Sequence, residues 1–214
     1  MLTDDTPPAR LPRPLDPVEI RALGALLEKQ QATPEYYPLT LHALVAACNQ
    51  KSNRDPVVEL SADQVEAALD RLREHVFVWK TGGSRAEKWE QNVEGRWQLD
   101  APAKAVMTLL LLRGEQTPGE LRGRSDRLHP FATTGDVEAA LEKLVAGPEP
   151  LVAELPRRPG QKETRWTHLV AGSVEGARSP AAPVALASRV AALEERLAAI
   201  SRELSDLKRT LGED

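Results

Sequence analysis

The segment VEAALDRL, residues 65–72, returns almost unchanged as VEAALEKL, residues 137–144. A near-identity of this kind within one chain restricts the fold to architectures that a single unit can build twice. The match extends beyond these segments and keeps its order. Leu26-Leu27 ahead of Glu28-Lys29 answers Leu111-Leu112 ahead of Arg113-Gly114, Thr40 with Leu44 answers Thr117 with Leu121, and Glu87-Lys88-Trp89 answers Thr164-Arg165-Trp166. The shift is 85 residues at Leu26, 77 at Thr40, 72 at Val65 and 77 again at Trp89, so every change of length falls between patterned segments. Insertions placed in this way belong to loops.

Each half then reads as one unit. Val18 to Gln30 carries Ile20, Leu23, Leu26 and Leu27 at helical spacing behind Pro17, a residue suited to a helix start. Thr40 is placed to cap a second helix with Leu41, Leu44 and Val45 on its inner face. Ser61 and Gln64 have capping-box spacing ahead of a third helix striped by Val65, Leu69 and Leu72. The period then changes: HVFVWK (75–80) is β-branched and aromatic, TGGSR can turn, and AEKWEQ can return as the second strand of a hairpin. Three helices followed by a hairpin is the winged-helix order. The second half repeats it with Lys104 to Arg113, a helix opening at Thr117-Pro118-Gly119-Glu120, a third helix over Val137 to Ala146, and LVAEL (151–155) and ETRWTHLV (163–170) flanking the turn RRPGQ. The expected fold is mainly α with small β-hairpin wings: two tandem winged-helix domains over 16–100 and 101–172, behind a disordered N-terminal segment of residues 1–15.

The C-terminal part has a different pattern. AGSVEGARSPAAP is small, Gly- and Pro-bearing and without period, which predicts a linker ending at residue 183. From 184 to 211, Leu186, Val190, Leu193, Leu197, Ile200, Leu204, Leu207 and Leu211 alternate by four and three, the heptad of a coiled coil. In a parallel pair Arg189 meets Glu194 and Glu203 meets Lys208, both attractive, so a homodimer through this helix is expected.

Three stretches, YYPLTLHALVAACNQKSNRDPV, LLLLRGEQTPGELRGRSDRLHPF and RRPGQKETRWTHLVAG, resemble the YceH-like family of bacterial proteins, with ACNQKSNRDPV the most specific of them. The likeness covers roughly residues 16–172 and implies a tandem winged-helix fold, in agreement with the repeat. The family is one of uncharacterised function, so the resemblance carries over no catalytic or binding residue. Trp89 and Gln91 stand where the family usually shows a tyrosine followed by a histidine.

Composition narrows the function classes. Aromatics are only 4% of the chain, and the net charge of -4 gives no global attraction to nucleic acid, so any such binding must come from a local patch. No apolar run approaches the length of a membrane span, and the start MLTDDTPPARLPRPLDP lacks the basic-then-apolar order of a signal peptide, so a cytoplasmic protein is expected. Cys48, the only cysteine, reads as a small core residue of an Ala/Leu helix. His42, His75, His129 and His168 have no Cys or His at ligand spacing, Gly82-Gly83-Ser84 leads into a strand and not a helix, and no nucleophile elbow is present. The expectation is a non-enzymatic protein with no cofactor and no metal.

What remains is a binding protein. Both third helices begin acidic, with Asp63, Glu66 and Asp70 in the first and Asp136, Glu138 and Glu142 in the second. Carboxylates there favour the helix dipole and repel phosphate. Cations collect elsewhere: Arg157, Arg158, Lys162 and Arg165 on or beside the second wing, and Arg122, Arg124 and Arg127 after the second helix of the same half. They could hold a phosphate backbone without reading sequence, or be ordinary solvated surface. The polar loop from Asn49 to Asp55 poses the same choice. Its Asn and Asp side chains can bond their own backbone and Pro56 stops a helix, yet Asn49, Gln50, Lys51, Asn53 and Arg54 offer more donors than a turn needs, so a partner or anion site is the alternative. Winged helices suggest regulator-like DNA binding by analogy alone. A protein-protein adaptor fits the acidic third helices better, and a protein partner and nucleic acid both stay open on the sequence.

Overall fold

A computed structural model describes residues 9–82, 87–146, 149–157, 160–161, 163–174 and 177. The linker beyond these, the heptad segment, most of the first wing turn, Arg158 and Lys162 lie outside the described residues. Seven α-helices and two antiparallel hairpins make up this part, all of it within one compact unit, residues 1–179.

The first repeat consists of α1 (Pro17–Ala32), α2 (Leu41–Cys48), α3 (Ala62–Glu74), β1 (Val78–Thr81) and β2 (Lys88–Gln91). A short helix α4 (Val93–Trp97) leads into the second repeat: α5 (Ala101–Arg113), α6 (Pro118–Arg124), α7 (Thr134–Val145), β3 (Val152–Leu155) and β4 (Arg165–His168). The helix starts follow the side-chain chemistry. Ser61 with Gln64 and Thr117 with Glu120 close the expected capping boxes, and Thr40 accepts from the Ala43 N–H. Asp16 with Glu19 and Thr133 with Asp136 close two more.

The duplication holds residue by residue. Val65, Ala68, Leu69 and Leu72 of α3 are buried, and so are Val137, Ala140, Leu141 and Leu144 of α7. Each hairpin gains a third backbone partner from the loop before the second helix. Leu39 exchanges both amide hydrogen bonds with Trp89 at 3.1 and 2.7 Å, and Gln116 does the same with Trp166 at 3.0 and 2.8 Å. Within the hairpins Val78 faces Gln91 and Thr81 faces Lys88, while Val152 faces His168 and Leu155 faces Arg165.

The first helix of each repeat is buried nearly all round. Glu19 to Leu27 of α1 and Ala105 to Leu112 of α5 are unbroken buried runs. Each helix serves its own repeat on one side and packs against the other helix on the opposite side, so neither shows a narrow apolar stripe. Gly24 permits this crossing: a Cβ there would lie 2.9 Å from Leu112 Cδ2 and 3.1 Å from Leu111 Cβ. Gln31 crosses the same seam to hydrogen bond Thr108 Oγ1 at 2.9 Å.

The structure corrects the expectation of disorder through residue 15. From residue 9 the chain is tied down: Leu15 is buried and its N–H donates to Val170 O at 2.8 Å, Trp97 Nε1 donates to Arg10 O at 3.0 Å, and the Arg10 N–H donates to Glu149 at 2.6 Å. Apolar residues in this Pro-rich stretch are too few to show a period, although Leu11 and Leu15 both join the core.

Candidate functional site

The loop that leaves α2 is held by its own side chains. Asn49 Nδ2 donates to Leu60 O at 2.8 Å and Asn49 Oδ1 accepts the Leu60 N–H at 2.8 Å, closing the loop at its two ends. Asn53 adopts φ 58°, a left-handed conformation that asparagine tolerates better than most residues, and its Oδ1 accepts from Arg113 at 3.2 Å. The Asp55 N–H donates to Leu112 O at 2.9 Å, so the loop is bonded to α5 of the other repeat.

Arg54 is the centre of this arrangement, and of the two readings the loop allowed, its side chain takes the internal one. Its side chain is fully buried and donates to both Glu28 oxygens, at 3.0 and 2.6 Å. It also donates to Ala47 O, at 3.1 and 2.8 Å, and to Gln50 Oε1 at 3.0 Å. Ala47 O is among the carbonyls that α2 cannot satisfy within the helix, so the guanidinium serves as a cationic C-terminal cap. Arg21 does similar work one step along the chain, donating to Cys48 O at 3.3 Å and to Pro56 O at 2.6 Å. Burial pushes the Cys48 thiol up to about 12, which makes it a core residue without thiolate character. Of the five loop residues singled out in the sequence, Lys51 projects into solvent without a hydrogen bond or ion pair among the described residues.

The equivalent loop of the second repeat comes to the same place. Gln50, Ser52 and Asn53 from one loop and Asp126 and Arg127 from the other line a polar cleft of about 400 Å³, together with Lys29 of α1, Gly123 and Arg124 of α6 and Leu109 and Leu112 of α5. Sequence reading identified both loops and Arg124 and Arg127, but it missed Glu28, Lys29 and Asp126. The repeat register held a signal for this meeting, because the loops occupy equivalent positions on either side of the pair formed by α1 and α5.

Three of the five described cations proposed for phosphate are engaged within the protein. Arg122 and Arg124 belong to the last turn of α6, a correction to their expected place after it. Arg122 donates to Phe131 O at 3.3 Å, Arg124 to Gln116 Oε1 at 2.8 Å and to Glu120 at 3.5 Å, and Arg165 to Glu115 O at 2.8 Å and to Glu120 at 3.3 Å. Arg127 and Arg157 are exposed and make no such contact among the described residues.

The third helices present carboxylates instead. On α3, Asp63, Glu66, Asp70 and Glu74 are exposed along one face, and on α7, Asp136, Glu138 and Glu142 are exposed. Nearby cations are taken up: Arg73 by Asp70 at 3.1 Å, Arg71 by Asp16 at 2.6 Å, and Lys143 by Asp100 at 2.6 Å. A second cleft, about 260 Å³ and mainly apolar, lies between Ile20, Pro56, Val58, Leu111 and His168. Burial pushes His168 down to about 4, so the ring lining it is neutral at pH 7. Among the described residues no group of His, Cys, Asp and Glu could hold a metal ion, and no helix is long and apolar enough to cross a membrane.

These features define a class: a mostly helical, twice-repeated chain with two small hairpins, joined along two buried helices and tied at the seam by an arginine-centred loop. The chain belongs to the family described as "Protein of unknown function, DUF480", whose model matches residues 15–161. It is 48% identical over 172 residues to a UPF0502 protein of Burkholderia orbicola (strain MC0-3), covering 80% of this chain and 73% of that protein. It is 52% identical over 172 residues to a UPF0502 protein of Geobacter metallireducens (strain ATCC 53774 / DSM 7210 / GS-15), covering 79% and 78%. A UPF0502 protein of Paracidovorax citrulli (strain AAC00-1) is 48% identical over 169 residues, covering 77% and 73%. This family is consistent with the YceH-like resemblance read from the sequence.

Proposed function

We propose that the chain is a non-enzymatic binding protein whose repeats are two winged-helix modules that dock a protein with a basic surface. In such modules the third helix enters the major groove, where phosphates and base edges call for arginine, lysine, asparagine and glutamine. Here that helix shows solvent a carboxylate face in both repeats, and this observation carries the reading. A carboxylate stripe repels a phosphate backbone and attracts lysine and arginine on a partner protein. DNA binding by the exposed Arg127 and Arg157 is the second reading, favoured only by their freedom from internal contacts. Both readings place the protein in the cytoplasm without cofactor or metal. The heptad from Leu186 to Leu211 supports a parallel homodimer, which presents four such helices per particle.

Two measurements on the full chain test the reading. Fluorescence anisotropy with a labelled mixed-sequence duplex is expected to show no saturable binding at about 50 mM salt. Binding there that weakens steeply by about 200 mM salt would place phosphate on the protein and overturn the reading. Protein partners recovered with wild-type bait are expected to be lost with the Glu66→Lys, Glu138→Lys, Glu142→Lys triple variant at unchanged melting temperature. Partners retained by that variant also overturn it.

A further inference from the structure

We propose that the polar cleft between the two equivalent loops is a binding site for a small multivalent oxyanion, a ligand carrying phosphate or clustered carboxylates. The cleft walls carry three cations, Lys29, Arg124 and Arg127, against two carboxylates, Glu28 and Asp126. Glu28 does not offset the cations, because Arg54 neutralises it from the protein side through two hydrogen bonds. Glu120, the carboxylate nearest Arg124, lies outside the lining and is shared between Arg124 and Arg165, so one negative charge answers two positive ones. Asp126 is the acid left to oppose an incoming anion. Lys29 Nζ reaches only the neutral Gln50 Oε1 at 3.4 Å and an already paired Glu28 oxygen at 3.8 Å, and Arg127 makes no hydrogen bond or ion pair among the described residues.

Crowding of positive charge is visible next to the cleft as well. Arg113, which touches the lining residue Asn53, has its Nε buried without a hydrogen-bond partner among the described residues. Burial and the neighbouring Arg124 charge hold its guanidinium below the ordinary arginine range. A concave site with an excess of one charge and low-dielectric walls of Leu109 and Leu112 concentrates ligands of the opposite sign. About 400 Å³ lies within the usual range for small-molecule sites. The walls are also fixed in advance: Lys29 stands on α1, Arg124 on α6, and Gln50 and Asn53 on a loop held by Arg54, Arg113 and Leu60, so binding does not have to order them. The loop residues that supply donors beyond the needs of a turn, Gln50 and Asn53, line this cleft.

The test is isothermal titration calorimetry of the full chain with inorganic pyrophosphate and, separately, with citrate, at about 50 mM salt. At least one is expected to bind saturably, and the arm that binds tighter tells whether phosphate or carboxylate is the recognised group. Arg127→Gln and Lys29→Gln are each expected to weaken binding about tenfold, the scale of one charge-assisted hydrogen bond, at unchanged melting temperature. Arg157→Gln, an exposed cation on the second hairpin, is expected to leave binding within about twofold, since it adds only screened surface charge. Absence of saturable binding by both anions overturns the proposal. So does binding that survives the two cleft substitutions, or that falls equally in all three variants.

Discussion

At the scale of single residues, the loop from Asn49 to Asp55 separates two neighbouring cations that look alike in sequence. Arg54 is enclosed with Glu28, Ala47 O and Gln50, whereas Lys51 stands in solvent. Removing one member of a buried, hydrogen-bonded pair leaves the other charge uncompensated and costs about 3–5 kcal/mol. Arg54→Ala is therefore expected to lower unfolding free energy by about 3 kcal/mol, with the loss of the Ala47 cap included. Lys51→Ala is expected to stay within about 0.5 kcal/mol of wild type. Urea midpoints at constant slope measure both, and an Arg54→Ala protein as stable as wild type would show that the pair contributes nothing net. Arg54→Lys is expected to recover only part of the loss, because an ammonium cannot bond Glu28 as a fork and reach Ala47 O together. The sequence showed that this loop must end a helix and turn, and left open whether its polar side chains bond the loop itself or a partner. It could not show which cation turns inward, because that depends on Glu28, 26 residues earlier in the chain, and no local pattern links the two.

At the scale of elements, the long helices were legible because their starts are chemical and their stripes periodic, and the duplication made each half a check on the other. Three features escaped. Helix α4 is too short to show a period, and the bridges Leu39 to Trp89 and Gln116 to Trp166 are single backbone pairs without a side-chain signature. The crossing of α1 and α5 was hidden too, since helices buried all round look alike whatever they pack against. Gly24 is its marker. Gly24→Ala gains roughly 1 kcal/mol of helix propensity but forces Leu112 aside, and overpacking of a filled core costs about 1–3 kcal/mol. The expected result is a net loss of stability, larger for Gly24→Val, read from thermal melts; a stabilised Gly24→Ala protein would mean the seam can open. The start of α1 also sets a pH dependence. Burial works to raise the pKa of Glu19, but hydrogen bonds from Arg13 and the Asp16 N–H outweigh it and hold the carboxyl low; Asp16 is likewise held low against burial by the Glu19 N–H and Arg71. Folded values below the ordinary 4.5 and 3.8 mean that these contacts stabilise fully above that range and lose their contribution as pH falls through the folded values. Glu19→Gln is expected to lower stability at pH 7 and to flatten its decline below about pH 4.5, as followed by urea unfolding at stepped pH. An acid limb unchanged by the substitution would assign the decline to other carboxylates.

At the scale of the whole molecule, the two repeats and the heptad make different demands. The repeats close their own core: α1 and α5 are covered on every side, and each third helix buries its Val/Ala/Leu stripe and leaves its acidic face to water. The heptad, which lies outside the described residues, carries eight apolar residues at alternating spacings of four and three, the sequence pattern of a helix that pairs with a second copy. Its charges favour the parallel register, with Arg189 opposite Glu194 and Glu203 opposite Lys208. Two chains joined through it, as proposed above, would raise the local concentration of acidic faces available to a repeated or extended partner. Light scattering on the full chain is therefore expected to give twice the mass of one chain, and a version ending at residue 180 to give one, with an unchanged melting temperature for the repeats. A Leu197→Lys, Leu204→Lys double variant places like charges along the seam and is expected to behave as the shortened version does. Equal masses for the full and shortened chains would remove the dimer and leave the two acidic helices of one chain to bind a partner alone.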